Sequence, residues 1–388
     1  MLVVEPKIGR TRTRTISADE AMQIALTARS RPCSVRLYPI NYGGRYLMAL
    51  PRKLLVDPSV TPLYHCTSRC VRGAMLCGPG YEHRKVWIET RLEELVGIFA
   101  IEVCGFSVMD NHLHVVVRLE PERVKSWTNL EVAQRWGRLY PPRGPKGEVL
   151  EPSPQWLESC AADAPWLEKT RERLASLSWF MKCLKEPLAR QANHEDQASG
   201  AFWAERFRSV AILDEESLLA TCAYVDLIPL AAGVAATPED SPHTSIHARV
   251  EHCRRQGALE SLVSDPMDRS QLDRIAEVEQ SHWLCPIEDR RGQGAERPGL
   301  LPGFSLRSYL LLVDRVARWY REGKAQLQSD VAGILDRLGA SLERCGEIVL
   351  NLLRRSKLVG TALGTLASLE RLAKARGQRW VKNLAGRT

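Results

Sequence analysis

The stretch 101–119 constrains this chain more than any other. IEVCGFSV and HLHVVVRL are rich in β-branched and aromatic residues, and Met109-Asp110-Asn111 stands between them. Two such runs joined by a short turn predict a β-hairpin. In the second run the spacing of two puts His112 and His114 on one face, with Arg118 further along that side. Leu113, Val115 and Val117 then face the opposite way, into a core. Two histidines at period two on a rigid strand make half of a divalent-metal site.

The flanking sequence builds outward from that hairpin. Residues 63–70 (LYHCTSRC) read as a strand, 78–82 (GPGYE) as a turn, and 84–100 as an amphipathic helix packed on a sheet. Residues 141–155 hold five prolines and two glycines, which predicts an exposed loop within an insertion at about 120–170. Residues 171–193 are helical, and Pro187 is expected to kink or interrupt that helix. Residues 214–228 form a second well-marked helix. Asp214 is its N-cap, and Glu215 and Glu216 suit the dipole of its first turn. Pro229 is expected to end it. Tyr224 lies on this helix, and a phenol becomes a nucleophile only with help from a metal, a base or geometry.

The organisation predicted is a weakly ordered extension at 1–50, with a short helix around 18–28, and a core at 51–235. A linker region at 236–300 follows, rich in glycine and charge at 288–298. A helical, basic module closes the chain at 301–388. Met48 could be the natural start. No window approaches about 18 consecutive apolar residues, which argues against a membrane helix. The first residues lack an apolar run of signal-peptide length. Eleven cysteines, an odd number with no CxxC pair, fit reduced thiols in a cytoplasmic protein. The net charge of +8 is concentrated at the end of the chain. Residues 350–388 carry nine basic residues against one acid, Glu370. A basic tail favours a polyanionic partner, nucleic acid being the commonest.

Four stretches together resemble the HUH single-tyrosine transposases, in particular the REP-associated tyrosine transposases and their longer bacterial relatives. They are YHCTSRCVRGAMLCG (64–78), VMDNHLHVVV (108–117), GAFWAERFRS (200–209) and AYVDLIPLAAG (223–233). LPGFSLRSYLLLVD (301–314) looks like the C-terminal part of the longer members. The resemblance runs from about residue 50 to the end. It implies an α+β fold: a ferredoxin-like antiparallel sheet with flanking helices, plus a C-terminal all-helical module. It also implies that His112 and His114 hold Mg²⁺ or Mn²⁺, and that Tyr224 attacks single-stranded, hairpin-flanked DNA to leave a 5′-phosphotyrosine and a free 3′-hydroxyl. The expected setting is the nucleoid, as a monomer or homodimer with no membrane partner.

One position departs from the family pattern. The family segment usually reads Tyr-x-x-x-Asn-Pro, and the polar residue one turn after the tyrosine completes the metal site. Here that position is Ile228, which has no donor atom. Leu230-Ala231-Ala232 departs as well, where a basic residue is often found. Asp226 lies about 200° around the helix from Tyr224 and should point away. Three readings stay open: a strand transferase, a family member that only binds DNA, and a nuclease that uses water.

Arg69, Arg72, Arg206 and Arg208 lie near Phe202, Trp203 and Phe207, and arginines beside aromatics suit single-stranded DNA. His65, Cys66, Cys70 and Cys77 have irregular spacing for zinc. His243, His247 and His252 read as surface residues. Residues 328–340 and 342–355 are a candidate helix-turn-helix pair, although phosphate contact by the basic tail is favoured.

Overall fold

The computed structural model describes residues 55–263, 268–322 and 360–384, together with Val349 and Leu352. The extension at 1–50 and the helix pair at 328–355 lie outside the described residues, those two side chains apart. Four strands follow one another along the chain: β1 (Leu63–Arg69), β2 (Ile101–Val108), β3 (His112–Leu119) and β4 (Arg208–Ile212). A short β5 (Ala362–Leu363) comes late. They form one sheet in the order β2-β3-β1-β4-β5. The first four run antiparallel to their neighbours, and β5 runs parallel to β4.

The helix α1 (His83–Val96) links β1 to β2. Between β3 and β4 come α2 (Arg123–Ser126), α3 (Asn129–Leu139), α4 (Pro154–Ala162), α5 (Ala164–Leu174) and α6 (Leu177–Glu195). The insertion at 120–170 is therefore largely helical, with an irregular stretch near the proline-rich run. After β4 come α7 (Glu215–Ala231), α8 (Ser245–Arg255), α9 (Leu259–Val263), α10 (Arg269–Ser281) and α11 (Leu306–Glu322), and α12 (Leu366–Ala375) follows β5. No helix among the described residues is long and apolar enough to cross a membrane.

The sheet is covered on both faces. Leu113, Val115 and Val117 pack with Ile88, Leu92 and Leu95 of α1 and with Phe180 and Leu184 of α6. Val116 packs the other way, with Leu219, Ala223 and Leu227 of α7 and Tyr309 and Leu312 of α11. Full burial of a side chain of this size contributes roughly 1.5–3 kcal/mol, so both layers hold the strands in register. Gly105 sits beside an irregularity in the β2–β3 ladder. A Cβ there would lie 3.2 Å from Ser245 Oγ, so glycine lets α8 approach β2 closely.

Neither Pro187 nor Pro229 ends its helix. α6 continues through Pro187. Proline has no N–H for the carbonyl of Cys183, four residues back, and Arg91 Nε of α1 donates to that carbonyl instead, at 3.2 Å. α7 likewise continues past Pro229. It ends at Gly233, whose φ is +71°. Val234 N–H reaches the carbonyl of Pro229 at 2.9 Å and Gly233 N–H that of Leu230 at 3.1 Å, the paired bonds of a glycine-terminated helix.

The stretch 236–300, expected as a linker, carries three helices, of which α8 is hydrogen-bonded to β2 through Ser245 and Arg249. Arg249 of α8 is buried against Glu279 of α10 at 3.4 Å and donates to the carbonyls of Cys104 and Cys285. Some charges of 288–298 are tied down, Arg297 with Glu102 of β2 at 2.8 Å and Arg290 with Asp273 of α10 at 2.5 Å, while Arg291 and Glu296 stay exposed. Arg118 of β3 donates to the carbonyls of Gly299 and Pro298. The terminal module, expected to be all helical, contributes β5 to the sheet. Leu55 onward forms one compact unit.

Candidate active site

Register decides which side chains meet. Across the β1–β3 pair, Arg69 lies opposite His112, Thr67 opposite His114 and His65 opposite Val116. Directly opposed residues share a face. His65, Arg69, His112 and His114 therefore project together, on the face that α7 covers. α7 brings Tyr224 to the same place. Its ring centroid lies 5.7 Å from that of His114 and 6.0 Å from that of His65, edge-on to both. The rings of His112 and His114 are 5.0 Å apart. Tyr224 is held there because α7 is buried nearly all round, from Glu216 to Leu230. Its N-terminus is capped by Asp214 Oδ1, which accepts from Ser217 N at 2.9 Å.

Hydrogen bonds orient both histidines of β3. His112 Nδ1 lies 2.6 Å from Asn111 Oδ1, and Asn111 Nδ2 donates to the carbonyl of Gly73. His114 Nδ1 lies 2.8 Å from His65 Nε2. Neither Nε2 of His112 nor that of His114 takes a hydrogen bond among the described residues. Burial pushes His112 down to about 4, helped by the Arg69 charge. It pushes His114 well below the ordinary imidazole value, with the neighbouring histidines adding to the effect. Both rings are thus neutral at physiological pH, the form that binds metals. Burial raises the Tyr224 phenol to about 12, and Arg69 acts against that rise.

The segments that carry the four arginines meet at this end of the sheet. The loop after β1 rests on the β2–β3 turn, through Cys70 N to the carbonyl of Asn111 and Cys77 N to that of Asp110. The segment before β4 closes on β1, through Ala204 N to the carbonyl of Arg69 and Val71 N to that of Phe202. Arg69, Arg72, Arg206 and Arg208 are all exposed. None of their guanidinium groups makes an ion pair or hydrogen bond among the described residues. Arg72 holds a left-handed backbone, φ +56°, which is uncommon for a bulky residue. Phe202 and Phe207 are buried in the core, and Trp203 Nε1 is bonded to the carbonyl of Lys185 at 3.0 Å, so these aromatics pack rather than stand free.

No family model matches the chain. No curated protein matches it either. Among solved structures it is similar to a REP-associated tyrosine transposase bound to a REP hairpin, at 13% identity over 49% of this chain and 79% of that one, with a TM-score of 0.29. A likeness of that degree supports no transfer of residue roles.

Ile228 is 8% exposed and shares the apolar cluster of Tyr224, so the turn after the tyrosine offers no donor. Asp226 faces away, as its angle on the helix requires. It is fully buried, accepts from Ser245 Oγ at 2.6 Å, Ile246 N at 2.9 Å and Tyr309 OH at 2.6 Å, and so ties α7 to α8 and α11. The described residues hold no group of three or more His, Cys, Asp or Glu side chains placed to share an ion. Two neutral imidazoles with their Nδ1 atoms engaged nonetheless suit a cation that accepts nitrogen ligands. That donor set fits Mn²⁺ better than Mg²⁺, which prefers oxygen.

His65, read in the sequence only as part of an irregular zinc pattern, belongs to this site. Cys66, Cys70 and Cys77 lie in the core on the other face, so the four do not converge. His243, His247 and His252, read as surface residues, are half-buried, and each is hydrogen-bonded.

Proposed function

We propose that this protein processes DNA: it cleaves and rejoins single-stranded, hairpin-flanked DNA through a covalent tyrosine link. The observation that carries the reading is the meeting of the Tyr224 phenol with His112 and His114 on one sheet face, at the end where the segments of four arginines with no partner among the described residues meet. The strand order β2-β3-β1-β4, with helices between β1 and β2 and between β3 and β4, supports a ferredoxin-like core of the HUH type.

In this reading Arg69, Arg72, Arg206 and Arg208 hold the phosphate backbone. His112 and His114 would hold Mn²⁺ through Nε2, and the bound ion would polarise the scissile phosphate as a Lewis acid. Tyr224 Oη attacks the phosphorus, a P–O bond to the 3′ oxygen breaks, and a 5′-phosphotyrosine forms. The phenolic proton is lost to solvent, and the departing 3′ oxygen gains one. Arg69 favours the phenolate, against the burial that disfavours it. Rejoining is the reverse reaction, with a 3′-hydroxyl as nucleophile, so no nucleotide cofactor is required.

A second reading has one specific support. Ile228 leaves the metal with two protein ligands, which suits a chain that binds DNA without cutting it. Covalent capture separates the two. Purified protein is mixed with a hairpin-tailed single strand and Mn²⁺, then run on a denaturing gel beside Tyr224→Phe and Ile228→Asn. A shifted band in wild type that Tyr224→Phe abolishes is the expected result. A band in Ile228→Asn alone would leave the natural protein as a DNA binder. Cleaved DNA with no protein attached would point to attack by water.

A further inference from the structure

Each histidine of β3 has one ring nitrogen engaged by a different partner. For His112 the partner is Asn111, from the adjoining turn. For His114 it is His65, from the neighbouring strand and 49 residues away. The two rings stack with centroids 5.0 Å apart and planes 23° from parallel. His65 is 1% exposed and sits on β1, a central strand paired with β3 on one side and β4 on the other, so its ring has little freedom.

An imidazole that binds a metal through Nε2 carries its proton on Nδ1, and that proton needs an acceptor. His114 is 2% exposed, so water is a poor candidate. We infer that His65 is a positioning residue: its Nε2 accepts the Nδ1 proton of His114, sets that ring's tautomer and orientation, and leaves His114 Nε2 beside His112 Nε2 for a divalent cation. The inference rests on the two-histidine reading of the site given above. His65 then keeps its own proton on Nδ1, which is buried and has no partner among the described residues. A buried donor left unpaired is costly, which fits a group retained for what it does to His114. With isoleucine at 228, orientation of the two remaining ligands from behind matters more than it would in a three-ligand site.

The test is metal affinity without DNA. Mn²⁺ is titrated into wild type, His65→Phe and His65→Gln, and free Mn²⁺ is read by electron paramagnetic resonance. Loss of a partner behind a metal ligand typically costs about 10–100-fold in affinity, and that loss is expected for His65→Phe. His65→Gln, whose Oε1 can accept the same proton, should stay close to wild type. In wild type loaded with Zn²⁺, proton–nitrogen correlation spectra should show His114 protonated at Nδ1, a readout that holds even if His65→Phe misfolds.

Equal Mn²⁺ affinity in His65→Phe and wild type would overturn the inference. So would a His114 protonated at Nε2, or no Mn²⁺ binding by wild type at all. Failure here is distinct from failure of the proposed activity. His65-dependent Mn²⁺ binding with no covalent DNA product would keep the inference and sink the activity. Covalent capture with Mn²⁺ affinity indifferent to His65 would do the reverse.

Discussion

Ile228→Asn sets stability against metal binding in a way that can be worked through beforehand. Ile228 is 8% exposed within the cluster that holds Tyr224 and Leu227. Removing its burial forfeits about 1.5–3 kcal/mol. Placing an amide there with no partner adds about 1–3 kcal/mol. In metal-free buffer the variant should therefore be about 2.5–6 kcal/mol less stable than wild type. Ile228→Val, which trims one methyl group, should cost only about 0.5–1.5 kcal/mol.

Mn²⁺ should return part of that loss. The introduced amide would sit one helical turn from Tyr224, on the same face, where its oxygen can act as a third ligand. A site tightened a hundredfold gains about 2.7 kcal/mol of extra stabilisation at the same saturating Mn²⁺. The assay is urea unfolding of wild type and both variants, with and without Mn²⁺. The expected pattern is a large metal-free deficit in Ile228→Asn that narrows in Mn²⁺, and a small deficit in Ile228→Val that does not. If Mn²⁺ stabilises Ile228→Asn no more than wild type, residue 228 does not face the histidines, and the account of the missing ligand is wrong.

Other expectations follow from named groups. Alanine at Arg69, Arg72, Arg206 or Arg208 should weaken single-stranded DNA binding and lower the slope of log K against log salt by about 0.7 for each phosphate no longer neutralised; an unchanged slope would remove that residue from the interface. Asp226→Ala strands the Ser245, Ile246 and Tyr309 donors and should cost about 2–5 kcal/mol in denaturant unfolding. Asp226→Asn keeps one acceptor oxygen and should cost less. Burial raises the Asp226 carboxyl above its ordinary value, so its contribution to stability declines as pH rises through the raised value, and Asp226→Asn should flatten that decline. Burial also pushes His282 down to about 2, and neither of its ring nitrogens finds a partner among the described residues. The unfolded chain takes up that proton below about 6.5 while the folded chain does not, so stability drops by about 2 kcal/mol between pH 6.5 and 5 from this residue alone. His282→Phe should remove that part of the acid loss.

The sequence carried the local features of the site. Period two was enough to place His112 and His114 on one face and Leu113, Val115 and Val117 on the other. The angular offset on a helix was enough to turn Asp226 away from Tyr224. Features that depend on distant pairing were not legible. His65 enters the site only because β1 pairs with β3 in one particular register, and nothing near residue 65 encodes that register. That α6 is not interrupted at Pro187 was hidden for a related reason: the carbonyl it frees is taken up by Arg91, almost a hundred residues earlier in the chain. Arg297 read as part of a linker because its partner, Glu102 on β2, lies far back in the sequence.

The end of the chain has a consequence for how its basic residues should be studied. Ala362 and Leu363 lie beside Ala211 and Ile212. Asp214 accepts from Thr365 N at 2.7 Å with the carboxylate that caps the tyrosine helix. Arg376 donates to the carbonyl of Leu55 at 3.0 Å. Cutting the chain before 361 to remove its positive charge would also uncover the edge of β4 and free one oxygen of that cap. A bare strand edge invites pairing with other chains. A truncated protein that failed to bind DNA would then report aggregation or a shifted Tyr224 as readily as lost charge. Only charge-reversing substitutions at exposed positions such as Lys374 and Arg379 separate the tail's electrostatics from its place in the sheet.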